Sequence, residues 1–306
     1  MTLKRKLVYT VMVCLLSLGL AEVAVRGAVT VLRRPLVYET DVEIGYRLRS
    51  DLDVCRNLFG VIWCFRTDRA GRRVVPDNPS PDEATTVVLL GDSFAFGEGV
   101  NDNETVAAHL ARSGLHVINL GVQGYGTNQQ LMAFRRFLEN EKADYVITLT
   151  YTNDIEDVLS SYQHRRHRPT ASLVNLDLRL DDFHPPLTDY LADYSYVSAL
   201  SRYFLSQPKR NPGDGQAIVA ACLSAIQADA RQVGIISKLF FHDTRQAKVV
   251  PWLFDAFEEL DLSVADLTPA LLADQRGVTG PDGRHWNALG HRIVASEILA
   301  TDWNTP

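Results

Sequence analysis

Apolar residues fall into three regimes along the chain. The first is a block at the start. Residues 7–21 carry no charge and follow Lys4-Arg5-Lys6. Apolar character resumes after Glu22 through Val23-Ala24-Val25, ahead of Arg26. A basic start followed by an uncharged apolar stretch predicts a signal anchor with its N-terminus in the cytoplasm, or a cleaved signal peptide. Gly19-Leu20-Ala21 supplies small residues for such a cleavage, so residues 1–29 are read as one or the other. In the second regime, residues 30–83, the pattern is irregular and strand-containing, with Tyr46, Val54, Ile62, Trp63 and Phe65 as its apolar points. It ends in the breaker cluster Pro76-Asp77-Asn78-Pro79-Ser80-Pro81.

The third regime, residues 84–306, alternates short apolar runs with helical periodicity. Strands are predicted at 86–90, 116–120, 145–149, 235–241 and 263–267. Helices are predicted near 104–112 with Asn103 as cap, and near 128–140 with Leu131, Phe134 and Leu138 on one face. Further helices are expected near 216–232, 251–260 and 287–301, the last with Leu289, Ile293 and Ile298 inward. Alternating strands and helices predict an α/β domain on a parallel sheet. The rhythm breaks at about 155–212, where a small hairpin around 173–176 and a helix near 188–205 are expected.

Composition changes this picture little. The chain has 306 residues, 46% hydrophobic and 22% charged, as for an ordinary globular protein. A net charge of -6 argues against a general nucleic-acid binder. Cysteine usage says more. Cys14 lies in the apolar block and Cys222 in a helical pattern. Cys55 and Cys64 flank the turn-like Asn57-Leu58-Phe59-Gly60; outside the cytoplasm they could close a hairpin disulfide, and the alternative is two free, half-buried cysteines. No second pair has zinc-ligand spacing.

Candidate chemistry gathers at predicted strand ends, where parallel α/β sheets bind ligands. Gly91-Asp92-Ser93 follows the first strand. Asn119-Leu120-Gly121-Val122-Gln123-Gly124 follows the second, and Asn153-Asp154 follows the third. Asp282 and His285 precede the last helix. A serine needs a base to become a nucleophile, and the base needs an orienting carboxylate. Ser93, His285 and Asp282 fill those roles. The amides of Ser93 and Gly124 and the side chain of Asn153 are candidate donors for an oxyanion. Asp92 is read as a loop-ordering acceptor rather than a reacting group.

These four blocks, in this order, resemble the SGNH (GDSL-type) hydrolases. Gly91-Asp92-Ser93 matches the nucleophile block, Asn119 with Gly124 the glycine block, Asn153-Asp154 the asparagine block and Asp282-x-x-His285 the final block. The resemblance spans about residues 84–302. It implies a three-layer α/β/α sandwich on a flavodoxin-like parallel sheet, with Ser93, Gly124, Asn153 and His285 as functional positions. Together with the N-terminal segment, it is similar to a membrane-anchored bacterial branch related to exopolysaccharide O-acetylation proteins. Asp68 departs from the asparagine expected there.

The expected function is therefore a serine esterase or acyltransferase outside the cytoplasm, held to the membrane by its N-terminal helix or secreted if that helix is cleaved. Its substrate would be an ester, an O-acetyl group of a glycan above all. A lipase-like esterase and a non-catalytic glycan-binding component are the alternatives. No metal or organic cofactor is expected, because no ligand cluster or dinucleotide glycine pattern is present. The remaining polar residues receive ordinary readings. His109 and His116 are unremarkable, His291 faces solvent, and His242 is a candidate pocket wall. The run His164-Arg165-Arg166-His167-Arg168 reads as a solvated loop, or as a rim attracting an anionic polymer. Tyr162, Tyr190, Tyr194 and Tyr196 are candidates for stacking on sugars or for core packing.

Overall fold

The computed structural model describes residues 2–33, 35–205, 214–243, 257, 258, 260, 262–274 and 276–303. A long helix, α1 (Leu3–Val31), opens the chain with no buried residue, and its apolar window is long enough to cross a membrane. Two antiparallel hairpins follow: β1 (Tyr38–Asp41) with β2 (Gly45–Leu48), and β3 (Asp53–Leu58) with β4 (Val61–Arg66). In the second hairpin Cys55 stands opposite Cys64, and the two are disulfide-bonded.

The alternating part then begins. Its elements run β5 (Thr86–Leu90), α2 (Ser93–Phe96), α3 (Val106–Arg112), β6 (His116–Asn119), α4 (Thr127–Asn140), β7 (Tyr145–Tyr151) and α5 (Asp154–Asp157). An interruption contains the small pairs β8 (Tyr162–Gln163) with β9 (Arg166–His167) and β10 (Ala171–Val174) with β11 (Asp177–Leu180). Helices α6 (Leu187–Tyr194) and α7 (Tyr196–Leu205) complete it. The alternation resumes with α8 (Gly215–Gln232), β12 (Ile236–His242), β13 (Val264–Asp266), α9 (Thr268–Ala273) and α10 (Ala288–Ala300).

Five parallel strands form one sheet in the order β13-β12-β7-β5-β6. Read along the chain this is 2-1-3-4-5, the flavodoxin-like order, whose switch point lies between β5 and β7. Every residue of β5 is buried, so its side chains split between two cores. Val87 and Leu89 join Val106, Leu110, Val294 and Ile298 on the face covered by α3 and α10. Val88 and Leu90 join Leu131, Phe134, Val219 and Leu223 under α4 and α8. These are the three layers that the family resemblance implies. A third cluster packs the hairpins against them: Tyr46, Trp63 and Phe65 meet Phe96, Val122 and Tyr125.

Several local expectations differ. Thr105, not Asn103, caps α3, since its hydroxyl accepts from the Ala108 amide. The single helix expected near 188–205 is broken at Ser195, which is extended. His291 is 1% exposed rather than solvent-facing, and burial holds its imidazole well below the ordinary histidine value, hence neutral. Leu289 is only half-buried, and Val294 and Ala295 take the inward positions beside Ile298. The helix expected near 251–260 lies almost wholly outside the described residues.

Candidate active site

The turn after β5 is shaped by its glycine and its aspartate. Gly91 has φ 152°, and a Cβ there would stand 2.7 Å from the Ala95 Cβ. Asp92 caps the short α2, its Oδ1 accepting from the Phe94 amide at 2.9 Å. Together they present Ser93 at the switch point, only 8% exposed. Below it, Phe94 packs on Tyr151, His242, His285 and Trp286.

Ser93 Oγ lies 2.8 Å from His285 Nε2. On the other side of the ring, His285 Nδ1 meets Asp282 Oδ2 at 2.5 Å. Asp282 Oδ1 also accepts from the amides of Arg284 and His285. Burial works to raise the Asp282 carboxyl. The Arg284 amide and the His285 ring and amide outweigh it and hold the group below the ordinary value, hence ionised. An acceptor-only carboxylate on Nδ1 fixes that nitrogen as the donor, which leaves Nε2 to accept from the serine. Asn287 caps α10 through the Leu289 and Gly290 amides and so sets the position of the 282–285 turn.

The profile of the GDSL-like lipase/acylhydrolase family matches residues 87–298, from β5 into α10. The chain belongs to this family. It is a serine ester hydrolase of the SGNH fold. Similar solved structures share little sequence with this acylhydrolase. A G-D-S-L family protein from Desulfitobacterium hafniense is 16% identical over 70% of this chain and 97% of its own, with a TM-score of 0.44. The psychrotrophic esterase EstA from Pseudoalteromonas sp. is 11% identical over 70% and 94%, with a TM-score of 0.44. The acetylxylan esterase Axe2 from Geobacillus stearothermophilus, as a catalytic mutant, is 12% identical over 73% and 98%, with a TM-score of 0.43. A comparison with curated proteins gave no match.

The other predicted positions of the acylhydrolase surround the serine. Gly124, with φ 72°, and Asn153 both line the pocket that holds Ser93 and His285, a space of about 550 Å³. A Cβ at Gly124 would come within 2.8 Å of Gln163 Nε2. Asn119 acts beneath the pocket: its Nδ2 donates to the Ala95 carbonyl and its Oδ1 accepts from the Gly121 amide, which ties the second loop to the serine helix.

Asn153 has an arrangement the sequence did not disclose. Its Nδ2 donates to Asp92 Oδ2 at 2.9 Å and to Asp157 Oδ2 at 2.8 Å. Two carboxylates therefore set which way the amide points. Burial above all, together with the Asp92 charge and against Arg168, raises the Asp157 carboxyl to about 6. Burial and the Asp92 charge push Asp154 well up as well.

Much of the pocket wall comes from outside the alternating region. Tyr38 on β1 and Arg56 on β3 line it, with Glu98, His164 and Arg284. Arg56 pairs with Glu98 at 3.5 Å, and Glu98 accepts from Gln123 Nε2. The hairpins also hold the glycine loop in place: Tyr46 donates to the Gln123 carbonyl and Tyr125 to the Tyr46 carbonyl. The sequence pattern singles out neither Arg56 nor Tyr38, which lie far along the chain from the strand ends that carry Ser93 and Asn153.

The basic run is neither a solvated loop nor a cationic rim. Arg166 and Arg168 are each 2% exposed and pair with Asp193 and Asp157. His167 meets Asp189. Of this run, only His164 lines the pocket. There it stacks on Tyr38 and donates from Nε2 to the Gln123 carbonyl. Tyr162, Tyr190, Tyr194 and Tyr196 do not line the pocket, and neither does the buried His242.

Proposed function

We propose that this acylhydrolase removes or transfers small acyl groups, O-acetyl groups of glycans above all, on the extracytoplasmic side of a membrane. The observation that carries the reading is the continuous line from Asp282 through His285 to Ser93. Ser93 Oγ attacks the ester carbonyl and its proton passes to His285 Nε2. The C=O electron pair moves onto oxygen, which the Ser93 and Gly124 amides receive. Asn153 joins them by turning one amide hydrogen away from a carboxylate. The tetrahedral centre collapses, the alcohol leaves with the proton from His285, and an acyl-serine remains. Water, or a hydroxyl held in the pocket, gives its proton to His285 as it attacks that acyl group and frees the serine.

The charged, hydrogen-bonding walls around Arg56, Glu98 and Arg284 favour a hydroxylated acyl carrier over an alkyl chain. The disulfide and α1 favour an oxidising compartment beyond the membrane. The test is turnover of a chromogenic acetyl ester with and without acetylated oligosaccharides, the products weighed by mass spectrometry. A serine-directed phosphonate should label the wild type and not Ser93→Ala. Preference for long-chain esters would replace the glycan reading with a lipase-like one. An enzyme inert to both esters and phosphonate would make the domain a binding component.

A further inference from the structure

Helix α6 is built inside out. On a helix of 3.6 residues per turn, Leu187, Leu191 and Tyr194 fall within a stripe roughly 60° wide. They are 74%, 53% and 79% exposed. The opposite face carries Asp189 and Asp193, which are buried. Asp189 takes Arg202 at 2.6 Å and His167 at 3.0 Å, and Asp193 takes Arg166 at 2.5 Å. A soluble amphipathic helix places its charges outward and its leucines inward. Here the ion pairs lock the carboxylates inward, so α6 cannot turn its apolar stripe away from its surroundings.

The end of α6, where the stripe closes at Tyr194, meets α1. Glu22 of α1 accepts from the amides of Tyr196 and Val197 and from the Ser195 hydroxyl, which caps α7. Arg26 donates to the carbonyl of Tyr194, the last residue of α6, at 2.8 Å and lies 5.2 Å over the Tyr196 ring. From Leu7 to Arg26 the helix rises roughly 28 Å at 1.5 Å per residue, about the thickness of a bilayer's hydrocarbon core. With Lys4-Arg5-Lys6 at one interface, Glu22 and Arg26 reach the other. Tyr194 then stands at headgroup level, where tyrosine is favoured.

We infer that α6 is a membrane-surface helix, and that Leu187, Leu191 and Tyr194 seat the catalytic domain on the lipid headgroups beside α1. This rests on α1 remaining as an uncleaved anchor.

The test uses the full chain in vesicles of phosphatidylethanolamine and phosphatidylglycerol. Cys14→Ser removes the exposed thiol, and Cys222 is buried. An environment-sensitive fluorophore is then placed singly at Leu15→Cys, Leu187→Cys, Leu191→Cys, Tyr194→Cys or Glu297→Cys, all of them exposed positions. Nitroxide lipids should quench the label at 15 in the acyl region and those at 187, 191 and 194 near the headgroups. Aqueous iodide should quench the label at 297 several-fold more than those three. If 15 is in lipid while 187, 191 and 194 behave like 297, the seat is wrong and the anchor stands. A water-exposed label at 15 overturns the anchor and the seat with it. Shielding of the α6 labels from both quenchers, growing with protein density, would place a second copy on that face and overturn the lipid assignment.

Discussion

Asn153 sits between Asp92 and Asp157, and its substitution separates two roles. Asn153→Ala should lower kcat about 10²–10³-fold, the usual cost of one oxyanion donor, with KM little changed. Asn153→Asp should be worse for the fold, because it adds a carboxylate beside two already present. Its denaturant midpoint should recover on acidification. Ser93→Ala and His285→Ala should each abolish turnover, and the double variant should be little worse than either, since the two act as one unit. The pH dependence of stability has two opposing sources. His291 and His164 are neutral when folded, His164 held by burial and by the Arg56 charge at about 3. Unfolded chains bind those protons first, so stability falls as pH drops below the ordinary histidine value. Asp157 works the other way. Its folded value of about 6 exceeds 3.8, so in that window the native state holds the extra proton and gains stability on acidification. Asp157→Asn should therefore make the loss between pH 7 and pH 5 steeper, as read from urea midpoints. Ser93, Asp282 and His285 were legible because each stands at a strand end or helix start in the sequence. His291 was not, because a single histidine on a helix carries no sign of which side will be covered.

At the scale of elements, the β3–β4 hairpin lines the pocket around Ser93 through one residue. Arg56 follows Cys55, so the disulfide that closes the hairpin is expected to steady the arginine facing Glu98. Cys55→Ser with Cys64→Ser should cost about 2.5 kcal/mol by the loop-entropy estimate for so short a loop. It should also raise KM for an acetylated oligosaccharide more than it lowers kcat. A denaturant series and steady-state kinetics would check the two effects separately. The β-branched runs announced the strands correctly, with ends moved by a residue or two, because burial on both faces leaves few other residue choices. The hairpins' contribution stayed hidden. Tyr46 meets Gln123 across 77 residues, and no local pattern encodes such a contact. Arg166 and Arg168 were misread for the same reason, since their partners Asp193 and Asp157 are chosen by the fold.

Across the whole molecule, the anchor reading predicts fractionation with membranes and a C-terminal reporter active only when exported. A cytoplasmic reporter signal would overturn the topology. The parallel sheet was legible from the alternation of strands and helices, and its flavodoxin-like order only from the family resemblance, while the docking of α1 on α7 was not legible, because Glu22 and Arg26 look like ordinary interfacial charges. The wide spacing of the reacting groups has a consequence for how the protein comes to life. Ser93 and His285 are 192 residues apart along the chain. A growing chain therefore carries Ser93 long before it carries the imidazole of His285. Because pairing between distant segments is slow, activity in a refolding experiment should appear only with the last kinetic phase, after helical circular dichroism has recovered. On the proposed mechanism, activity is expected only once α10, whose start positions His285, has docked on the sheet.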